Sequence, residues 1–212
     1  TGDKQTSAVR AFTAHGTWQC LDFCVTLHLA QALPAWFWHV EITNTGADEV
    51  TLDLIMTQDI ALAHEAAVRM NEYYVSQYID HTPLQHAKQG TVVASRQNQA
   101  QNGRYPWLLT GSLKRGASFS TDALQFYGLS ARDGIAVPGL REGLPGRRHQ
   151  HEHSMVAIQD EPFTLAPGQK ATRGFFALLV RDHPAATSPA DLVHVEEVLA
   201  QPEAVNSAPP AG

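Results

Sequence analysis

Alternation of apolar and polar side chains constrains this chain more than any other feature. In "TWQCLDFCVTLHLA" (17–30) and again in "AWFWHVEIT" (35–43), large apolar residues recur at every second position. That spacing gathers them on one face of an extended strand. "NTGADE" (44–49) follows, made of residues that tolerate Asx-turn or left-handed geometry. "VTLDLIMTQDI" (50–60) then resumes the strand pattern. Long half-apolar strands joined by a polar Asn-Thr-Gly turn form a meander, and its apolar face needs a second sheet to cover it.

Strand signals return in "GTVVASRQN" (90–98), "YPWLLTGSL" (105–113), "MVAIQDEPFTLAPG" (155–168) and "ATRGFFALLVRDH" (171–183), with a tight Pro-Gly turn at 165–169. Two stretches break the pattern. "ALAHEAAVRMNEYYV" (61–75) is rich in Ala, Glu and Met and reads as a short helix across one end of the sheet. "ADLVHVEEVLAQ" has apolar residues at 192, 195, 198 and 199, with Ser188 placed as N-cap and Pro189 at the first helical position. The expected fold is mostly β, a two-sheet antiparallel sandwich with one or two short helices. Its expected divisions are an unordered or processed start at 1–11, the sandwich over 12–187, a short helix over 188–201 and a Pro/Ala linker over 202–212.

The chain has 212 residues, 43% of them hydrophobic and 17% charged, with a net charge of −6. Scattered Lys and Arg on an acidic chain argue against nucleic acid or anionic membrane as partner. No run approaches the roughly 18 apolar residues of a membrane helix. Cys20 and Cys24 sit on one strand face, too far apart along it for an easy bridge, and read as reduced core residues.

"GLPGRRHQHEHS" (143–154) sets His149, His151 and His153 in alternation. Gly143 followed by His149-x-His151 matches the opening of the cupin metal signature. The Glu that should follow is replaced by Met155 and Val156, and the second half of the signature is missing. Arg147 and Arg148 also raise the cost of a divalent cation there. The segment reads as a polar surface loop, with a metal site on the three histidines as the alternative. The chain contains no G-x-S-x-G elbow, phosphate-binding Gly loop or C-x-x-C. Asp59, Asp80, Asp122 and Glu152 are carboxylates that glycoside chemistry could recruit, without distinguishing context.

Residues 71–113 are different. They pack Tyr73, Tyr74, Gln77, Tyr78, Asp80, His81, Arg96, Gln97, Asn98, Arg104 and Trp107 into one region. Amides, carboxylates and Arg bind sugar hydroxyls, and aromatic faces bind C–H surfaces. Two readings stand side by side: a sugar-facing loop, or an ordered segment whose polar groups satisfy one another. This region, with "PAWFWHVEITNTG", "TQDIAL" and "PFTLAPGQKATRGFFALLVRDHPAAT", resembles glycoside hydrolase family 94. The most specific segments are "YVSQYIDHTPL" and "VVASRQN", and the likeness is to the branch of cyclic β-1,2-glucan synthases and β-1,2-oligoglucan phosphorylases.

The resemblance implies the family's amino-terminal β-supersandwich, with a galactose mutarotase-like fold. It implies a non-catalytic scaffold with a sugar-facing loop in 71–107. Gln77, Asp80, His81, Arg96, Gln97, Asn98 and Arg104 are the expected polar contacts, and Trp107 the stacking platform. Trp36 and Trp38 read as core. The implied partners are a β-glucan oligosaccharide, an α/α-barrel catalytic domain of the same protein and a second copy. No cofactor is expected beyond inorganic phosphate as co-substrate of the full-length enzyme. The implied location is the cytoplasm, or the cytoplasmic side of an inner-membrane protein. Two enzyme readings compete: a cupin-like metal enzyme using the histidine cluster, and an aldose epimerase on the same fold, whose Asn-His-x-Tyr-Phe-Asn segment is absent here.

Overall fold

The computed structural model describes residues 11–129, 134, 136–149 and 154–205. Twelve strands make up most of it: β1 (Ala11–Trp18), β2 (Leu21–Leu29), β3 (Ala35–Asn44), β4 (Val50–Leu52), β5 (Ile55–Asp59), β6 (Ile79–His86), β7 (Gly90–Gln97), β8 (Trp107–Ser112), β9 (Gly116–Asp122), β10 (Ser154–Asp160), β11 (Phe163–Leu165) and β12 (Lys170–Val180). The larger layer is antiparallel throughout, in the order β1-β2-β3-β12-β8-β7-β6. The second layer is β9-β10-β5, and β4 with β11 forms a separate ribbon.

The two layers join at one corner, where Gly90 of β7 bridges Gly116 of β9 in parallel. Gly90 has φ +65°, and a Cβ there would run into the Gly116 carbonyl oxygen. A Cβ on Gly116 would run into the carbonyl of Thr91. Only two glycines let the backbones approach this closely. Beyond the corner the layers face each other. Val93, Leu108, Phe175 and Ala177 of the larger layer pack with Phe119, Val156 and Ile158 of the smaller in one buried cluster. The fold is therefore a mostly-β sandwich, as the alternation requires.

The outer face of the larger layer is also covered. Phe37, Trp107, Leu109, Phe176 and Leu178 pack under Val195, Val198 and Ala204 of the C-terminal segment. Ser188 caps a 3-10 turn, Pro189–Leu192, in a capping box with Asp191, and the turn leads into α4 (Val193–Leu199). Packing continues through a second 3-10 turn, Pro202–Ala204, into the stretch read as linker.

The sequence reading needs correction in four places. The run 17–30 is two strands, because Gln19 (φ 52°) and Cys20 make a two-residue turn with Trp18 paired to Leu21. Cys20 thus lies in a turn and Cys24 on β2, and both are free. The run 50–60 divides between layers at Asp53-Leu54: the Leu54 carbonyl accepts from Asp160 N at 2.8 Å, and Asp53 accepts from Gln159 at 2.7 Å. The sugar-facing loop expected within 71–107 contains, besides the expected strand β7, an unread strand β6 paired to it. Among the described residues four short α-helices occur rather than one or two: α1 (Glu65–Ser76), α2 (Ala123–Tyr127), α3 (Pro138–Glu142) and α4. α1 is broken at Asn71 (φ −162°), whose side chain caps the following turn by accepting from Tyr74 N at 3.0 Å.

Candidate functional site

Four residues of the dense polar region, His81, Arg96, Gln97 and Trp107, turn inward, while Gln77, Asn98 and Arg104 stay exposed. Arg96 is buried, and its guanidinium donates to the carbonyls of His183 (2.8 Å) and Pro184 (2.9 Å) and to the side chain of Asn98. It also lies over the Tyr105 ring at 4.5 Å. Its work is to clamp the C-terminal segment. Gln97 is fully buried; its amide donates to Ala61 O and Val75 O, both at 2.9 Å, and its oxygen accepts from Gln99 N. It ties α1 to the sheet. Trp107 is fully buried too, stacked on His183 at 5.1 Å with its indole N–H on Thr187 at 2.9 Å. No ring face is left for a sugar, so its reading as a stacking platform is corrected to a core role.

His81 is buried between two serines, Nδ1 with Ser95 and Nε2 with Ser154, each at 2.8 Å. Burial, and then the positive charge of Arg148, lower its pKa to about 4. It is therefore neutral at neutral pH, one ring nitrogen donating and the other accepting. Asp80 pairs with Arg148. Gln77 caps the end of α1, Asn98 holds Arg96, and Arg104 is exposed in a tight backbone turn with Gln101. Of the eight, His81, Arg96, Gln97 and Trp107 are committed to buried contacts.

A different cleft does open beside His81. Asp59 at the end of β5, Ile60, Glu72, Tyr73 and Ser76 of α1, Ala123 and Tyr127 of α2, and Ser154 of β10 enclose about 330 Å³. The helix break at Asn71 presents Glu72 and Tyr73, and the α2 cap is Asp122 accepting from Leu124 N at 2.9 Å. Tyr73 is 49% exposed and Tyr127 42%. His81 supports the floor, because its Nε2 fixes the Ser154 hydroxyl that lines the cleft. Two carboxylates, two serine hydroxyls and two phenol rings suit a compact polyhydroxylated ligand, and the volume lies at the lower end of small-molecule sites. Of these residues the sequence reading named Asp59 and Tyr73. Ile60, Glu72 and Ser76 lie beside these two in the chain, whereas Ala123, Tyr127 and Ser154 come from segments too distant to form a motif with them.

Of the three alternating histidines, only His149 falls among the described residues, and it meets Gln125 at 3.0 Å; His151 and His153 lie outside them. Among the described residues, no group of three His, Cys, Asp or Glu could hold a metal ion. Burial raises the pKa of Asp160, but this carboxylate sits under the β8–β9 turn, accepting from Ser112 at 2.7 Å, with Arg173 at 3.8 Å. It organises the turn and is not part of the cleft. No helix among the described residues is long and apolar enough to cross a membrane.

A β-sandwich with a hydroxyl-, carboxylate- and tyrosine-lined cleft belongs to the class of folds that present polar small-molecule sites. The chain belongs to the SOGP N-terminal domain family, whose profile matches residues 3–177, and so to the amino-terminal domains of glycoside hydrolase family 94. It is 38% identical over 128 residues to the 1,2-β-oligoglucan phosphorylase of Listeria innocua serovar 6a. That alignment covers 60% of this chain and 12% of the relative, so the chain spans only a small part of the relative's length. Two solved structures share the fold at TM-score 0.50. One is a protein from the human microbiome assigned as a kojibiose phosphorylase, at 8% identity, with 89% of this chain and 20% of that one covered. The other is a polysaccharide lyase at 9% identity, with 81% and 22% covered.

Proposed function

We propose that this chain is the non-catalytic, carbohydrate-facing domain of a β-1,2-glucan phosphorylase or cyclic β-1,2-glucan synthase. In this reading the fold is the galactose mutarotase-like supersandwich, and an α/α-barrel elsewhere in the polypeptide carries the acid and the inorganic phosphate. The observation that carries the reading is the family match together with the 38% identity to an oligoglucan phosphorylase. Inverting phosphorolysis needs a carboxylic acid aimed at the leaving oxygen and a positioned phosphate. No residue of the cleft is assigned either role, so its part is recognition. The α1–α2 cleft takes one hexose unit of the glucan: Asp59 and Glu72 accept from its hydroxyls and Tyr73 and Tyr127 flank its ring.

Titration calorimetry with linear β-1,2-gluco-oligosaccharides, with cellobiose as comparator and phosphate present or absent, tests this. Heat with the β-1,2 series that disappears in Tyr127→Ala and Asp59→Asn is the expected result. Heat that survives both substitutions moves the sugar elsewhere. No heat with any sugar removes binding from this domain and leaves a scaffold.

A further inference from the structure

Along β2 and β3 the β4–β11 ribbon covers one end of the larger layer's inner face, where Phe163 and Leu165 pack with Leu21 and Ile42. Toward Phe12, Leu27 and Trp38 no facing sheet lies on it among the described residues. Register sets Phe12 opposite Leu27 and Trp18 opposite Leu21, then Leu27 opposite Trp38 and Leu29 opposite Trp36. These side chains share one face. The smaller layer covers its β12-β8-β7-β6 part and reaches Trp36 at the edge. Beyond that lies a trough of about 1080 Å³, bounded on its far side by residues 52–58 and Leu140. Trp36 reaches the sandwich core from its edge, whereas Trp38 is half-buried in the trough wall. Phe12 is 60% exposed and Trp18 61%. Contiguous apolar surface of this kind marks a contact surface. Two strand edges flank it: among the described residues β1 pairs only with β2, and β5 only with β10.

The lining decides what fits. Its polar residues are Thr17, Asp53, Thr57 and Gln58, and Asp53 is already held by Gln159. A sugar there would lose water from its hydroxyls without finding partners. The chain's own remaining segments, such as "TGDKQTSAVR" and "NSAPPAG", are too polar or too small to fill it. A second copy brings the same net charge of −6. An amphipathic strand satisfies both features at once, since its backbone pairs with an open edge while its apolar side covers the trough.

We propose that the trough receives a β-strand segment from another part of the same polypeptide, which extends the sheet at β1 and lays apolar side chains over Trp18, Phe23 and Trp38. The relative's length supplies such a segment: the match covers 12% of it. The inference rests on reading the chain as one domain of a larger polypeptide, and not on the sugar cleft.

Hydrogen exchange tests it, on the 212-residue chain over a range of concentrations and on the full-length polypeptide that carries it. Amides of residues 11–18 should exchange at least about tenfold more slowly in the full-length protein, because a paired strand opens less often than a free edge. Trp18→Glu in the full-length protein should abolish that difference while leaving β7 and β8 protected. Equal exchange in both proteins overturns the proposal. Protection that grows with concentration of the short chain overturns it in favor of a second copy. Protection of residues 11–18 on adding β-1,2-gluco-oligosaccharide overturns it in favor of sugar. A null result in calorimetry leaves the expected exchange difference unchanged, so the two readings fail separately.

Discussion

Acidification should weaken this fold through one histidine. His81 is buried between Ser95 and Ser154, and its pKa is lowered from 6.5 to about 4 by burial and by Arg148. On acidification the unfolded chain therefore takes up this proton before the folded one does. The contribution is fully present above about pH 6.5 and is lost as the pH falls toward 4. Linkage puts the loss at about 2 kcal/mol between pH 8 and pH 5, rising to about 3 kcal/mol by pH 4. Two other groups titrate in the same direction or against it. His39, lowered mainly by burial, adds to the loss; Asp160, raised mainly by burial, opposes it. The discriminating quantity is thus a difference. Urea unfolding at pH 8, 6 and 5 is measured for the wild type and for His81→Gln, which keeps a polar group between the serines without an ionisable ring. The wild type should lose about 2 kcal/mol more than the variant between pH 8 and 5. Parallel pH profiles would refute the argument that a neutral, desolvated imidazole sits beneath the cleft.

Three further outcomes are expected. Gly116→Ala should cost about 2 kcal/mol or more, read as a drop in the urea midpoint, because its methyl would meet the Thr91 carbonyl at the corner joining the layers. Arg96→Ala should cost about 2–3 kcal/mol by leaving the carbonyls of His183 and Pro184 without their donor; limited proteolysis should then cut within 182–205, while any heat of sugar binding stays the same. Ser188→Ala removes the side-chain acceptor of the capping box and should lower stability by about 1 kcal/mol in thermal unfolding.

What the sequence made legible, and what it hid, follows from the period of each segment. β3, β7, β8 and β12 carry long β-branched or aromatic runs and are readable at once, and α1 and the capped helix after Ser188 show their own period. β6 is hidden because Pro83 lies within it. Proline is tolerated there since, among the described residues, β6 pairs only with β7 and forms an edge. β9, "GASFSTD", is nearly all small polar residues; it is buried by its neighbours and not by its own hydrophobicity. The division of 50–60 between two layers depends on Gln159 and Asp160, a hundred residues away, and no local pattern carries that information. The cleft was illegible for the same reason. The density of polar groups in 71–107 was real, but buried polar groups must be paired, and Arg96, Gln97 and His81 find their partners inside the protein.

The position of β12 bears on how the protein is made. The last of the described strands in chain order lies in the middle of the larger layer, with Ala35 paired to Leu178 on one side and Trp107 to Val180 on the other. At roughly 5–20 residues per second on the ribosome, β3 waits on the order of ten seconds for its neighbor. Until then β1-β2-β3 and β8-β7-β6 are two separate pieces, each with a raw edge open to a neighbouring nascent chain. Translation that stops short of about residue 170 therefore yields two unjoined halves, not a smaller version of the domain, and the cell must shelter them or degrade them.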